Sequence, residues 1–253
     1  MSTEAIDPRI HARRLEVARA AARRRLRVTM AVASAVVVAG LAYLVVHSPL
    51  LDVDRVRVEG TRNLTADQVV AAAGVERGAP LLTLDTAAAE RRVEDLVWVA
   101  DARVERAFPG TVRVVVSERV VTAYVRRDAG TVVLLAADGR AVASAPEPPP
   151  GAVEVVGVRR APDVGELVSP PGAAGVVREL PGVLAARVAR VDVGGAGVTL
   201  LLADGPEVRL GDTARAAEKG AAALAVMEDN ADTPLAYVDV SDPAHPVVRP
   251  AGA

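Results

Sequence analysis

No cysteine occurs among the 253 residues, which removes disulfides, thiolate catalysis and cysteine-ligated metals at once. Aromatic residues make up only 2% of the chain: Phe108, Trp98, Tyr43, Tyr124 and Tyr237. So sparse a set argues against stacking platforms for bases or sugars. Lys219 is the single lysine, the other cations being arginines, and the formal net charge of −2 argues against a dedicated nucleic-acid binder, which carries basic surface to neutralise phosphates. Histidine is scarce too. His11, His47 and His245 are too scattered for a metal site or a Ser-His-Asp arrangement. Phosphate-loop GxxxxGK, nucleophile-elbow GxSxG and zinc-binding HExxH patterns are absent.

The remaining chemistry reads as ordinary structure. Gly194, Gly195 and Gly197 follow one β run and lead into another, which is a hairpin turn, whereas a phosphate cradle needs a helix N-terminus. Asp192, Asp204, Asp239 and Asp242 are the carboxylates that glycoside hydrolysis would draw on, but nothing in their spacing sets two of them face to face. Lys219, on an amphipathic stretch beside Glu218 and Arg215, reads as a solvated surface lysine rather than a Schiff-base nucleophile. The sequence therefore assigns no catalytic residue, no cofactor site and no metal site.

What the chain does have is apolar content, 51% and rich in Ala, Val and Leu, enough for one large or two modest cores. Val28 to Val46, VTMAVASAVVVAGLAYLVV, runs without a charge or a proline; as a helix it would be about 28 Å long, one hydrocarbon core. The preceding residues 1–27 carry eight arginines, with Arg23, Arg24, Arg25 and Arg27 packed against the apolar edge. The positive-inside rule then predicts a basic cytoplasmic tail over 1–27, a membrane helix over 28–47 and an extracytoplasmic remainder. A cleaved signal peptide fits less well, because its charged leader would be too long and no small-x-small site follows the run before Pro49.

Past the apolar run, Arg55-Val56-Arg57-Val58 alternates as a half-buried strand ended by Gly60. Thr65-Ala66-Asp67-Gln68 has the Thr-x-x-Gln form of a capping box and predicts a short helix stopped by Gly74. Leu81 to Leu84 reads as extended, and Asp85 or Thr86 caps a second helix through about Leu96. Ala102 and Val104, then Val112, Val114 and Val116, alternate with outward residues on either side of the Phe108-Pro109-Gly110-Thr111 turn. The predicted order is β-α-α-β-β. Short strands follow at about 120–125, 131–136, 140–142, 153–158, 188–193, 198–202 and 207–210, with PEPPPG at 146–151 as an exposed loop. A longer helix over 214–228, capped by Asp212 or Thr213, is expected to bury Ala217, Ala221, Leu224 and Met227. Strands at 235–240 and 247–249 close the chain. The class is α+β.

This order of parts resembles the FtsQ/DivIB family of bitopic bacterial division proteins. The resemblance is carried by VRVEGTRNLTADQVVAAAGVERGAPLLTLD, WVADARVERAFPGTVRVVVSERVVTAYV and VTLLLADGPEVRLGD with its following helix and YVDVS. The Arg and Ala bias resembles that of a high-GC actinobacterium. The resemblance implies a POTRA domain over 51–119, an extracytoplasmic mixed or antiparallel β domain with a helix over 120–250, and a non-enzymatic scaffold in the cytoplasmic membrane at the septum. Its implied partners are FtsB/DivIC-type and FtsL-type bitopic proteins and the FtsW/FtsI-type septal peptidoglycan synthase complex. Carried over by position, the partner-binding edge comprises Tyr237, Val238, Asp239, Val240, Ser241, Val247, Val248 and Arg249, with Glu118 and Arg119 as an ion-paired corner between the two domains. Two departures bear on this. The terminal strand here is VVR without an aromatic anchor, and Pro243 and Pro246 flank it, which shortens the pairing strip or moves it to the opposite edge; Tyr237 to Val240 reads equally as an interior strand. Polypeptide transport and wall hydrolysis are the competing functions. The first needs a barrel that the remaining length does not supply.

Overall fold

The computed structural model describes residues 27–40, 43, 51–128, 130–170, 172–195 and 197–252. Arg23, Arg24, Arg25 and the end of the apolar run lie outside these residues. Within the run, α1 is helical at 27–40 and again at 43, and every one of these residues is exposed. Among the described residues no helix is long and apolar enough to cross a membrane.

By contacts the chain divides into two units, one of Met1–Arg57, Gly74–Ala87 and Val104–Val114, the other of Val58–Ala73, Ala88–Arg103 and Val115–Ala253. The cut passes through the strands of a small sheet. Those strands are β1 (Arg55–Glu59), β2 (Val99–Ala107) and β3 (Thr111–Glu118), in the order β1-β3-β2, with helices α2 (Ala66–Ala73) and α3 (Thr86–Glu94) between β1 and β2 in the chain. The β-α-α-β-β order read from the alternation is thus the observed one. Ala102, Val104, Val112, Val114 and Val116 are all buried, as period-two alternation requires of a sheet with one covered face. The capping box forms: the Thr65 backbone N–H donates to Gln68 Oε1 at 2.8 Å and the Gln68 N–H to Thr65 Oγ1 at 3.3 Å. The Arg92 guanidinium donates to the Ala73 carbonyl that ends α2, at 2.6 and 3.1 Å. Leu81–Thr83 is a 3₁₀ turn with Leu81 fully buried, not the extended segment expected.

The second sheet has nine strands: β4 (Val121–Asp128), β5 (Thr131–Ala136), β6 (Ala141–Ala145), β7 (Val153–Val156), β8 (Val188–Asp192), β9 (Val198–Leu202), β10 (Glu207–Gly211), β11 (Leu235–Asp239) and β12 (Val247–Pro250). Their order is β12-β11-β10-β9-β8-β7-β4-β5-β6. β4 with β7, β7 with β8, and β10 with β11 run parallel, the other pairs antiparallel. Each parallel pair needs a crossover. The one from β10 to β11 is α6 (Ala216–Asp229); the one from β7 to β8 carries two single-turn helices, α4 (Val176–Glu179) and α5 (Gly182–Ala185), with no counterpart in the sequence reading. One face of the sheet packs on these crossovers through Val125, Leu135, Val155, Val191, Leu200, Val208, Leu210 and Val238, joined by Leu180, Leu184 and Ala223.

Helix α6 departs from expectation in two ways. Neither Asp212 nor Thr213 caps it: its N-cap is Arg215, in the left-handed region at φ 53°, with no side-chain cap. Its buried face is Ala216, Lys219, Gly220 and Ala223, while Ala217 and Ala221 are exposed. The stripe is rotated because Lys219, read as solvated, is 2% exposed. Its ammonium donates to the Leu210 carbonyl at 2.8 Å and the Asp212 carboxylate at 2.6 Å. Beside it Gly220 lets α6 approach Leu180 and Pro181 closely, since a Cβ there would come 2.7 Å from Pro181 Cδ.

Candidate interaction edge

A nine-stranded open sheet has two edges, and each exposes a row of backbone donors and acceptors unless something covers it. On β6 the start of the strand is covered. The Ala141 N–H donates to the Glu166 carbonyl at 2.8 Å, the Gly165 N–H to the Ala141 carbonyl at 2.8 Å, and Arg140 bridges Leu167. Pro146 then follows the strand. The opposite edge is β12, and among the described residues it pairs only with β11.

β12 is set against β11 antiparallel, with Val247 opposite Asp239, Val248 opposite Val238 and Arg249 opposite Tyr237. The loop between them is held by short polar bonds: the Ser241 N–H donates to Asp239 Oδ1 at 3.0 Å, the Ala244 N–H to Asp242 Oδ1 at 3.1 Å, and His245 Nδ1 lies 2.9 Å from Asp242 Oδ2. That His245 contact, followed by the Ala244 N–H, holds the Asp242 carboxyl below its ordinary range. At the far end the Ala251 N–H donates to the Pro234 carbonyl at 2.7 Å and closes the ladder. All four β12 residues are exposed, Val247 by 56% and Val248 by 37%.

The eight residues expected at the edge divide by strand and by face. Val247, Val248 and Arg249 lie on the edge strand. Tyr237, Val238 and Asp239 lie on β11, paired on both sides, so their backbone is not an open edge; this corrects the expectation for them. Val240, whose N–H donates to the Arg209 carbonyl at 2.9 Å, is tied inward as well, and its side chain, like that of Val238, is fully buried. Directly opposed residues share a face, so Val248 lies on the core face beside Val238. Arg249 and Tyr237 share the other face, where the Arg209 guanidinium stacks on the Tyr237 ring at 3.8 Å. Ser241 is exposed in the loop.

Glu118 and Arg119 do not pair with one another, which corrects the ion-paired corner. The Glu118 carboxylate accepts the backbone N–H groups of Arg62, Asn63 and Leu64 at 2.8–3.0 Å and the Asn63 side-chain amide at 2.8 Å. Burial pushes this carboxyl up, but the three N–H donors and the amide outweigh it and hold it below the usual carboxylate range. Arg119 donates to the carbonyls of Val97 and Val99 and ion-pairs with Asp138 at 2.8 Å. Both residues therefore organise backbone: one gathers the 62–64 loop, the other fixes the start of β2 and the β5–β6 turn.

Glu118→Ala is expected to lower stability by about 1–2 kcal/mol, since the loop N–H groups fall back on water. Because the folded pKa is depressed, the stabilisation is complete above the unfolded value of about 4.3 and is lost as pH falls through the folded one. Thermal melts of wild type and Glu118→Gln should differ at neutral pH and converge in acid.

The candidate acids find separate occupations. Asp204 pairs with Arg187 at 3.2 Å, and Asp192 Oδ1 accepts the Gly194 N–H at 2.7 Å. Asp192 and Asp239 border one groove of 350 Å³, each already engaged by its own turn. Among the described residues no three His, Asp or Glu side chains gather as metal ligands.

The fold and this edge define a class: a β-α-α-β-β unit followed by a mixed sheet whose last strand stands open. Comparison with known families gives the same division. The family model described as POTRA domain, FtsQ-type, matches residues 51–119, and the one described as cell division protein FtsQ/DivIB, C-terminal, matches 123–241. Three relatives, each named cell division protein FtsQ, come from Mycobacteroides abscessus (36% identical over 85% of this chain and 67% of that protein), Streptomyces bingchenggensis (33% over 89% and 86%) and Mycobacterium leprae (33% over 83% and 59%). The chain belongs to the FtsQ/DivIB family of cell division proteins.

Proposed function

We propose that the chain is a membrane-anchored, non-enzymatic scaffold of the division machinery, with a tail over 1–27, an anchor over 28–47, a POTRA domain over 51–119 and a β domain over 120–250. β12 receives a strand from an FtsB/DivIC-type partner, itself paired with an FtsL-type protein, and so couples recruitment to the FtsW/FtsI-type synthase. The observation carrying the reading is the contrast between the two edges of the large sheet: β6 is covered at its start by the 165–167 segment, whereas β12 is exposed along its length. A strand laid on β12 satisfies the outward N–H and C=O groups, and its side chains are sorted by face, apolar against Val248 and polar against Arg249. Pro246 and Pro250 limit the donors of the strip to Val247, Val248 and Arg249.

The anchor reading draws on α1. Fourteen consecutive helical residues at 27–40 are mostly apolar and all exposed, and a bilayer would shield such a surface from water. Arg23, Arg24, Arg25 and Arg27 set the N-terminus inside. A fluorescent fusion should gather at midcell, and depletion should give filaments; uniform envelope staining with normal division would remove the reading.

A further inference from the structure

Phe108 is the only phenylalanine of the chain and is 58% exposed at the tip of the β2–β3 turn. What holds that tip is informative. The Gly110 carbonyl accepts the N–H groups of both Asp54 and Arg55, at 2.8 and 3.1 Å, and a Cβ on Gly110 would come 2.5 Å from Asp54 Oδ2. The turn is therefore packed onto Asp54 and Arg55, a few residues past the apolar run in the sequence. A second turn is tied to the same segment: the Val53 N–H donates to the Ala79 carbonyl at 2.9 Å, the Gly78 N–H to the Val53 carbonyl at 2.9 Å, and Asp52 bridges Pro80. It presents exposed Arg77 and half-exposed Leu82. Arg106, at the base of the first turn, donates to the Leu84 carbonyl at 2.6 Å and so stays at this end. From Val46 to Leu51 is five residues, a reach of at most about 18 Å.

We infer that the Phe108 turn is a membrane-interface anchor, its ring seated at the headgroup level of the bilayer that holds the anchor helix, with Leu82 beneath the same layer and Arg77 and Arg106 facing anionic headgroups. This rests on the membrane-anchor reading above. A phenyl ring gains by leaving water at the boundary of headgroups and acyl chains, and arginines extend to phosphate from it. Asp52 and Asp54 at the same end set the limit, because carboxylates stay hydrated and keep the turn in the interface rather than the hydrocarbon. The consequence is a fixed stance: two tethers, one covalent and one apolar, hold this end of the chain to the membrane.

The absence of cysteine makes the test direct. Single substitutions Phe108→Cys, Val36→Cys and Val183→Cys in the full chain carry a nitroxide label after reconstitution into vesicles of equal parts phosphatidylethanolamine and phosphatidylglycerol. Val183, exposed on α5, reports water, and Val36 reports the anchor. The expected result at 108 is a several-fold lower collision rate with soluble nickel than at 183, together with strong relaxation by nickel chelated on a lipid headgroup. If 108 matches 183 while 36 is shielded, the inference fails and the anchor stands. Shielding at 108 without relaxation by the lipid-borne nickel means a protein covers it, and also overturns the inference. Water access at 36 would instead bring down the anchor reading.

Discussion

On the proposed β12 interface, a proline at one of positions 247 and 248 will weaken partner binding about tenfold to a hundredfold without lowering stability, and at the other will lower both. Along an edge strand, successive N–H groups point alternately toward the neighbouring strand and away from it. Val247 and Val248 are opposite Asp239 and Val238 of β11, so one of the two donates into the ladder and the other outward. At the outward position proline deletes a donor that only an added strand would use and places a ring where that strand must lie. Losing one or two backbone bonds at about 1–1.5 kcal/mol each corresponds to a loss of about tenfold to a hundredfold in affinity. Titration of an FtsB/DivIC-type extracytoplasmic segment, alongside melts of each variant, separates the cases. Unchanged binding in both variants would place the interface off β12. Val248→Lys is a milder version on the core face. Val238→Lys is not, because Val238 is fully buried on β11, and an unpaired ammonium there unfolds the domain before it tests the edge.

These variants could not have been ranked from sequence, and the reason is physical. Alternation is local, so Val112, Val114 and Val116 could be read as one buried face and were found so; the Thr65–Gln68 box is local too, as are the β5 and β9 runs, found at Thr131–Ala136 and Val198–Leu202. Strand order is not local. Nothing in LAYVD distinguishes an edge from the second position, and only the parallel pairing with β10 makes it interior. The single-turn helices α4 and α5 are shorter than the window that periodicity needs. Glu118 and Arg119 stand side by side in sequence, yet in an extended chain neighbouring side chains point to opposite faces. Each therefore finds partners of its own, more than fifty residues back for Glu118 and about twenty away for Arg119.

Lys219 is the clearest case of a residue whose role inverts between sequence and structure, and it carries the second large effect. Lys219→Ala should cost about 2–5 kcal/mol, as for other long buried side chains, whereas Lys219→Met keeps the stem and should cost about 1–3 kcal/mol for the lost ammonium bonds to Asp212 and to the Leu210 carbonyl, which keeps the Asp212 N–H as a donor. Asp212→Asn should be worse than Lys219→Met, although the Asp212 side chain is 75% exposed. It leaves the ammonium buried against carbonyl dipoles alone, and removing one partner of such a pair is costlier than removing the charge itself. The double variant should recover most of the loss, a non-additivity that urea melts can measure. Hydrogen bonding from Lys219, then from the Ala214 N–H, holds the Asp212 carboxyl below its ordinary range. Its contribution is therefore full above the unfolded value of about 3.9 and disappears as pH falls through the folded one, a dependence that Asp212→Asn removes. Equal stability of Lys219→Met and Asp212→Asn would refute the asymmetry. The pair lies at the end of β10, where the Arg209 carbonyl takes the Val240 N–H that aligns β11, and β11 in turn carries β12. A variant that loosens this lock should therefore lose partner affinity only in proportion to its unfolded fraction, in contrast to the outward proline on β12, which loses affinity while fully folded.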